Sequence, residues 1–293
     1  MFELIGIPPQ ALFGQLLLGL INGAFYAMLS LGLAVIFGLL NVINFTHGAQ
    51  YMMGAFAAWL MLTLLGIPFW AALVLAPIIV GFTGVLIERL LLRRIYHLDH
   101  LYGFLLTFGL ALIIEGVFRW KWGSSGQPYD NPIPGGVNLG FMFLPYYRGW
   151  VVVASLVICL ATWYAIERTR LGAYLRAATE NPTLVRAFGI NVPRMITLTY
   201  AFGVGLAALA GVLAAPIQQV SALMGTNLVL VVFAVVVIGG MGSIMGSIIT
   251  GFGLGLIEGL TKVAYPPASN IVIFVVMALV LLVKPAGLFG RTK

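Results

Sequence analysis

Polar and ionisable side chains are scarce in this sequence, so those that interrupt its apolar runs are the first places to look for chemistry. Glu115 and Glu258 each stand inside such a run, four residues before Arg119 and Lys262. That spacing lets a carboxylate and a cation meet on one helical face. Glu88 and Arg89 sit at the end of another run, where both heads can reach water. A charge at hydrocarbon depth costs about 2.5–3.5 kcal/mol on insertion scales, so ion pairing is the expected role of these groups and none is placed as a proton relay. His47 is less ordinary, because NVINFTHG breaks an apolar stretch with Asn41, Asn44, Thr46 and His47 together. These four are the candidates for lining a solute path or gate, against the plainer role of a histidine hydrogen-bonded to a neighbouring span. His47, His97 and His100 are the only histidines and no acidic pair accompanies them at ligand spacing, so no metal site is expected. Cys159 is the single cysteine, inside an apolar run, which excludes a disulfide within the chain and suits a buried thiol. No GxxxxGK[ST] loop occurs; GGMGSIMGS and GLFGRTK lack the lysine. A nucleophile elbow and an HExxH pair are absent too, so no catalytic residue is assigned and the chain is not expected to hydrolyse ATP itself.

The elements that must carry these groups follow from composition. Of 293 residues 61% are hydrophobic and 8% charged, against roughly 25% charged in a soluble domain. At about 20 residues per crossing, the chain has material for eight or nine spans. Backbone polar groups in hydrocarbon must be paired internally, and the alternating pattern of an outer-membrane barrel is missing, so the spans are helices. The expected fold is an all-α polytopic membrane protein of about eight or nine transmembrane helices with glycine-rich, partly broken spans. Gly239, Gly240, Gly242 and Gly246 mark either close helix packing or a helix break that exposes backbone to a cavity.

The net charge of +7 is spread over short segments between apolar runs, which reads as topology rather than nucleic-acid binding. The connection at about 168–195 holds Arg168, Arg170, Arg176, Arg186 and Arg194 against Glu180, and is expected on the cytoplasmic side. Counting outward, the Arg93, Arg94 and His97 turn and the tail with Lys284, Arg291 and Lys293 also fall inside. The loop at about 120–148, with GSSGQPYDNPIPGG, falls outside. Nine crossings with an outer N-terminus satisfy this count, Lys262 excepted, while eight crossings with one weak segment re-entrant would put the N-terminus inside; no composition shift divides the 1–293 membrane domain. Met1 to Gln10 has neither the basic region nor the cleavage site of a signal peptide and is expected to stay.

Within the basic connection Asn181 can cap a helix, Pro182 suits its first position and Gly189 suits the left-handed position past its end. Glu180 stands beside the positive end of that helix. A capped helix of about two turns between two spans either lies in a partner's groove or rests on lipid headgroups, and physics alone leaves both open.

This stretch resembles the coupling-loop region of permeases in the branched-chain amino acid ABC transporter family. The match is carried by Ala178, Glu180, Asn181, Pro182, Gly189 and Ile190, and extends to NVINFTHG, VVIGGMGSIMGSIITG and KPAGLFGR. The resemblance implies the permease subunit of an ATP-driven importer in the bacterial plasma (inner) membrane, passing branched-chain or related amino acids. It implies a second related permease, as heterodimer or homodimer, two cytoplasmic ATP-binding subunits that hold ATP and Mg, and an extracytoplasmic solute-binding protein. Glu180, Asn181, Pro182, Arg186 and Gly189 would form the ATPase-coupling loop, and this chain would bind no cofactor of its own. The alternative is a stand-alone secondary transporter or facilitator of small polar solutes, which should carry buried carboxylates for ion coupling and no docking helix.

Overall fold

The computed structural model describes residues 8–40 and 44–290. The apolar runs form α1 (Pro9–Leu40), α2 (Thr46–Leu65), α3 (Phe69–Leu90), α4 (His100–Trp122) and α5 (Tyr146–Glu167). Two short helices follow, α6 (Arg170–Glu180) and α7 (Pro182–Ala187), and then α8 (Val192–Ala214), α9 (Met224–Gly239), α10 (Ile244–Ala264) and α11 (Val272–Val283). Seven of these are long and apolar enough to cross a bilayer, while α9 and α11 are shorter apolar helices. The chain is an all-α, multi-pass membrane protein. Between α4 and α5 lies a hairpin of β1 (Gly136–Asn138) and β2 (Phe143–Pro145), with Val137 opposite Leu144.

Helix α1 can be apolar on every side because every residue from Gly23 to Ile36 is buried. Lipid is as apolar as leucine, so helices associate here by close packing rather than by exclusion from water. Glycines make that packing possible. A Cβ on Gly19 would lie 2.4 Å from the Gly255 carbonyl oxygen, and one on Gly32 would lie 2.7 Å from that of Gly203. The same contact recurs between α2 and α8, where a Cβ on Gly211 would lie 1.9 Å from the Tyr51 carbonyl oxygen.

The bundle has two chemically distinct ends. At one end α1 starts beside the hairpin, with Phe13 against Phe141, and Phe69 at the start of α3 packs on Tyr129, Tyr147 and Trp150. At the other end Arg89, Arg93 and Arg194 line one pocket of about 380 Å³. The α6 helix and the turn at Gly242 close over the end of α1 there. Arginines of α3, α6, α7 and α8 thus gather at this end, whereas Arg119, Lys121, Arg148 and Lys262 stand toward the other.

Two elements stop short of an end. The His47 imidazole meets the carbonyl of Leu29, so α2 begins level with a residue eleven short of the α1 terminus, about 16 Å along the axis. Helix α9 begins at the same depth, since Gly225 touches Gly48. The irregular stretch from Ala215 to Leu223 therefore descends into the bundle, and its backbone must find partners away from water. Gln127 supplies them from the loop after α4, exchanging two backbone hydrogen bonds with Val220 at 2.8 and 2.9 Å. Tyr147 donates its hydroxyl proton to the Leu213 carbonyl at 2.8 Å, satisfying the end of α8.

Candidate functional site

The connection from α5 to α8 folds as two helices rather than the single one expected, and α6 is the addition. Its Gly172, Leu175 and Ala178 are buried at helical spacing, a pattern readable in RLGAYLRAATE. Gly172 sits so close to α5 that a Cβ would lie 1.5 Å from the Ile166 carbonyl oxygen. Arg176 locks the corner, donating to the Ile166 carbonyl at 3.0 Å and pairing with Glu167 at 3.4 Å. Beyond it α7 has the caps expected of it. The Asn181 side chain accepts from the Leu184 amide at 2.9 Å, Pro182 takes the first position, and Gly189 has φ of +80°. Val185 anchors the helix to Ala178 and Val192, whereas Leu184 and Phe188 are 54% and 76% exposed. Glu180 and Arg186 are exposed, and among the described residues neither joins an ion pair. A groove of about 460 Å³ runs from Pro182 and Arg186 to Tyr96, Asp99 and His100. The result is a rigid knob with a mixed apolar and charged outer surface.

Gly239, Gly240, Gly242 and Gly246 build the turn from α9 to α10. A Cβ on Gly246 would lie 2.2 Å from the Gly239 carbonyl oxygen, while Gly240 and Gly242 hold φ of +96° and +84°. The KPAGLFG tail is tied to this turn, because the Leu288 and Phe289 amides donate to the Ile238 and Gly239 carbonyls at 2.7 and 3.2 Å. Two motifs far apart in sequence thus form one structural unit.

At the start of α2 the polar residues of NVINFTHG form a buried knot. Asn44, Thr46 and His47 are at most 1% exposed, and Asn41 lies outside the described residues. Gln50 ties the knot: its Oε1 accepts from Asn44 at 3.3 Å, and its amide donates to Thr46 at 3.1 Å and to the Tyr200 hydroxyl at 3.5 Å. Thr46 also donates to Asn44. Thr107 of α4 accepts from the Phe45 amide at 3.2 Å, and the His47 Nε2 donates to the Leu29 carbonyl at 2.9 Å. Phe45 itself points the other way. It stacks on Phe233 at 4.5 Å and lines a small pocket between α2, α4 and α9 with Gly48, Phe108, Glu115 and Thr226. Gln50, Tyr200 and Thr107 were not singled out from sequence, although Gln50 follows Thr46 by one helical turn and is a further polar group in that apolar run.

A family model described as branched-chain amino acid transport system / permease component matches residues 15–281. This chain belongs to that family of permease components. Over 95% of its length it is 30% identical to the high-affinity branched-chain amino acid transport system permease protein LivH of Escherichia coli, covering 96% of that protein. It is 28% identical, over 95% of its length and 96% of the relative's, to the corresponding permease protein BraD of Pseudomonas aeruginosa. The solved structure of PsaBC from Streptococcus pneumoniae in complex with Fab is similar with a TM-score of 0.48 and 15% identity, covering 91% of this chain and 89% of that one.

In this branched-chain permease the membrane carboxylates sit as follows. Glu258 pairs with Lys262 as expected, at 2.5 Å, and also accepts from Tyr26 at 2.6 Å. Glu88 differs from the expectation: Arg89 is exposed, but Glu88 turns inward to 1% exposure. Thr197 and Tyr96 donate to it at 2.6 and 3.2 Å, which offsets the cost of leaving water. Glu115 stands 3.9 Å from Arg119, and its nearer partner is Thr226 of α9. That contact joins residues 111 positions apart, which helical spacing cannot reveal.

Proposed function

We propose that this chain is the membrane-spanning permease subunit of an ATP-driven importer in the bacterial inner membrane, passing branched-chain or related amino acids. The basic end faces the cytoplasm, following the retention of arginine there, and the hairpin end faces outward, where a solute-binding protein delivers cargo. A second related permease pairs with this one, and two cytoplasmic subunits supply ATP, Mg and the hydrolysis this sequence has no loop to perform.

The observation that carries this reading is the shape of α7. A six-residue helix cannot hold itself in water, yet this one is clamped by Asn181, Gly189 and Val185. Its clamped position leaves Leu184, Phe188 and Arg186 outward, an apolar pair beside a charge, as a groove-filling knob requires. ATP-driven closure of the partner pair would then push on α6, which Arg176 and Gly172 fasten to α5. Upstream, Asn44, Thr46 and His47 hold the buried start of α2 so that Phe45 faces the α4 side as part of a gate. Phe188→Asp is the direct test. It should abolish copurification of the ATPase subunits while the permease still inserts, and normal copurification with normal cargo-stimulated hydrolysis would refute the docking role.

A further inference from the structure

The three carboxylates set within the apolar helices are held to different degrees. Glu258 is closed in by Lys262 at 2.5 Å and Tyr26 at 2.6 Å, and Glu88 by hydroxyls at 2.6 and 3.2 Å. Glu115 has one close partner, the Thr226 hydroxyl at 2.5 Å. Its cation, Arg119, is 3.9 Å away with a side chain 55% exposed, so the pairing is loose. Of the three, only Glu115 lines one of the cavities described, the α2–α4–α9 pocket of about 50 Å³.

A water molecule occupies about 30 Å³ of liquid, so this pocket admits one small polar group and not a whole solute. Its rim is apolar, with Phe45, Met52, Phe108 and Leu112, and the last two are exposed on α4. Thr226, which donates to Glu115, and Gly225 stand in the first turn of α9, and Gly48 and Ala49 in that of α2, so both helix starts border the same space. A carboxylate therefore faces one small space beside an apolar rim. The ammonium group of an amino acid with a hydrophobic side chain has the complementary pattern.

We propose that Glu115 and Thr226 form a head-group subsite on the permeation path, which receives an amino acid with its ammonium on the Glu115 carboxylate. The solute's hydrophobic side chain rests on Phe45 and Phe108, outside the pocket. This rests on the amino acid import proposed above and adds where in the permease the cargo is held.

The test uses the whole transporter, with its ATPase and binding-protein partners, reconstituted in vesicles and supplied with labelled leucine. Glu115→Gln keeps the shape and the Thr226 contact but removes the charge, so uptake should fall about tenfold or more, as for loss of a desolvated charge-assisted contact. The melting temperature and ATPase copurification should stay at the wild-type level. Unchanged uptake, or a loss matched by a lower melting temperature, would overturn the proposal and leave Glu115 a structural group. If E115Q fails to insert, Thr226→Val carries the test, with reduced uptake at normal stability expected and normal uptake overturning it. Wild-type vesicles that take up no branched-chain amino acid would instead defeat the import reading itself.

Discussion

A Cβ placed on Gly225 would lie 2.0 Å from the carbonyl oxygen of Gly48, so the first turns of α9 and α2 cross with their backbones in contact. Both helices begin there, inside the bundle, because the irregular chain before α9 is paired with Gln127 and the knot around Gln50 holds the start of α2. A crossing this tight cannot be relaxed by turning a side chain, since the obstacle is main chain.

Gly225→Ala should therefore force α2 and α9 apart and lower stability by about 1–3 kcal/mol, the usual cost of overpacking. Uptake should fall with it, because Phe45 and Thr226 sit on the displaced turns. Gly253 is the control: a Cβ there meets nothing within 4 Å, and Gly253→Ala should melt and transport as wild type. Thermal melting of the purified permease alongside uptake separates the two; equal melting for both variants would mean that the contact is not tight in the membrane.

The caps of α7 predict a graded effect on coupling. Removing the Asn181 side chain leaves the Leu184 amide without its acceptor, a loss of about 1 kcal/mol that falls almost wholly on a six-residue helix. Asn181→Ala should insert normally but show weaker cargo stimulation of ATP hydrolysis. Gly189→Val should do more harm, since φ of +80° is disfavoured for a β-branched residue. Stimulation unchanged in both variants would detach α7 from energy transfer.

Nine apolar runs, the basic connection and the caps of α7 were legible in the sequence because each depends on local composition or on spacing within a few residues. What stayed hidden depends on depth and on distant partners. Nothing in THGAQY or MGTNLV says that α2 and α9 start inside the bundle, since that follows from where Leu29 and Gln127 lie in space. Glu115 shows the limit clearly. Helical spacing selected Arg119, four residues on, whereas the closer partner is Thr226 on another helix. Glu88 looked able to reach water, yet Thr197 and Tyr96 offered it better placed donors inside.

The knot at α2 predicts a strong response to an apolar substitution at Gln50. Gln50→Leu fills similar space but leaves the Asn44 amide without its acceptor at 0% exposure, while the Tyr200 hydroxyl keeps only Thr46 and Asn44 beside it. Each buried group left unmet costs about 1–3 kcal/mol, so the permease should melt several degrees lower, and uptake should fall further than ATPase association. Gln50→Glu, which can still accept from Asn44, should be the milder change in melting. The reverse order would mean that the knot is held by its apolar packing rather than its hydrogen bonds.

Glu258 and Lys262 allow a sharper test, because breaking an ion pair and deleting it are different acts. Lys262→Met leaves a carboxylate at 6% exposure with Tyr26 as its remaining neighbour, and should destabilise by about 1–3 kcal/mol, discounted from the dry-core value because Lys262 is partly exposed. Glu258→Gln alone strips the partner from a lysine that can still reach the outer interface, and should cost less. The double variant removes the stranded charge as well, so it should melt above Lys262→Met even though it carries one more substitution. Because Tyr26 lies on α1 and Glu258 on α10, recovery in the double variant would show that the two helices are held by glycine contact and that the ion pair serves only to neutralise Glu258. A double variant less stable than both singles would assign the pair a direct part in joining them.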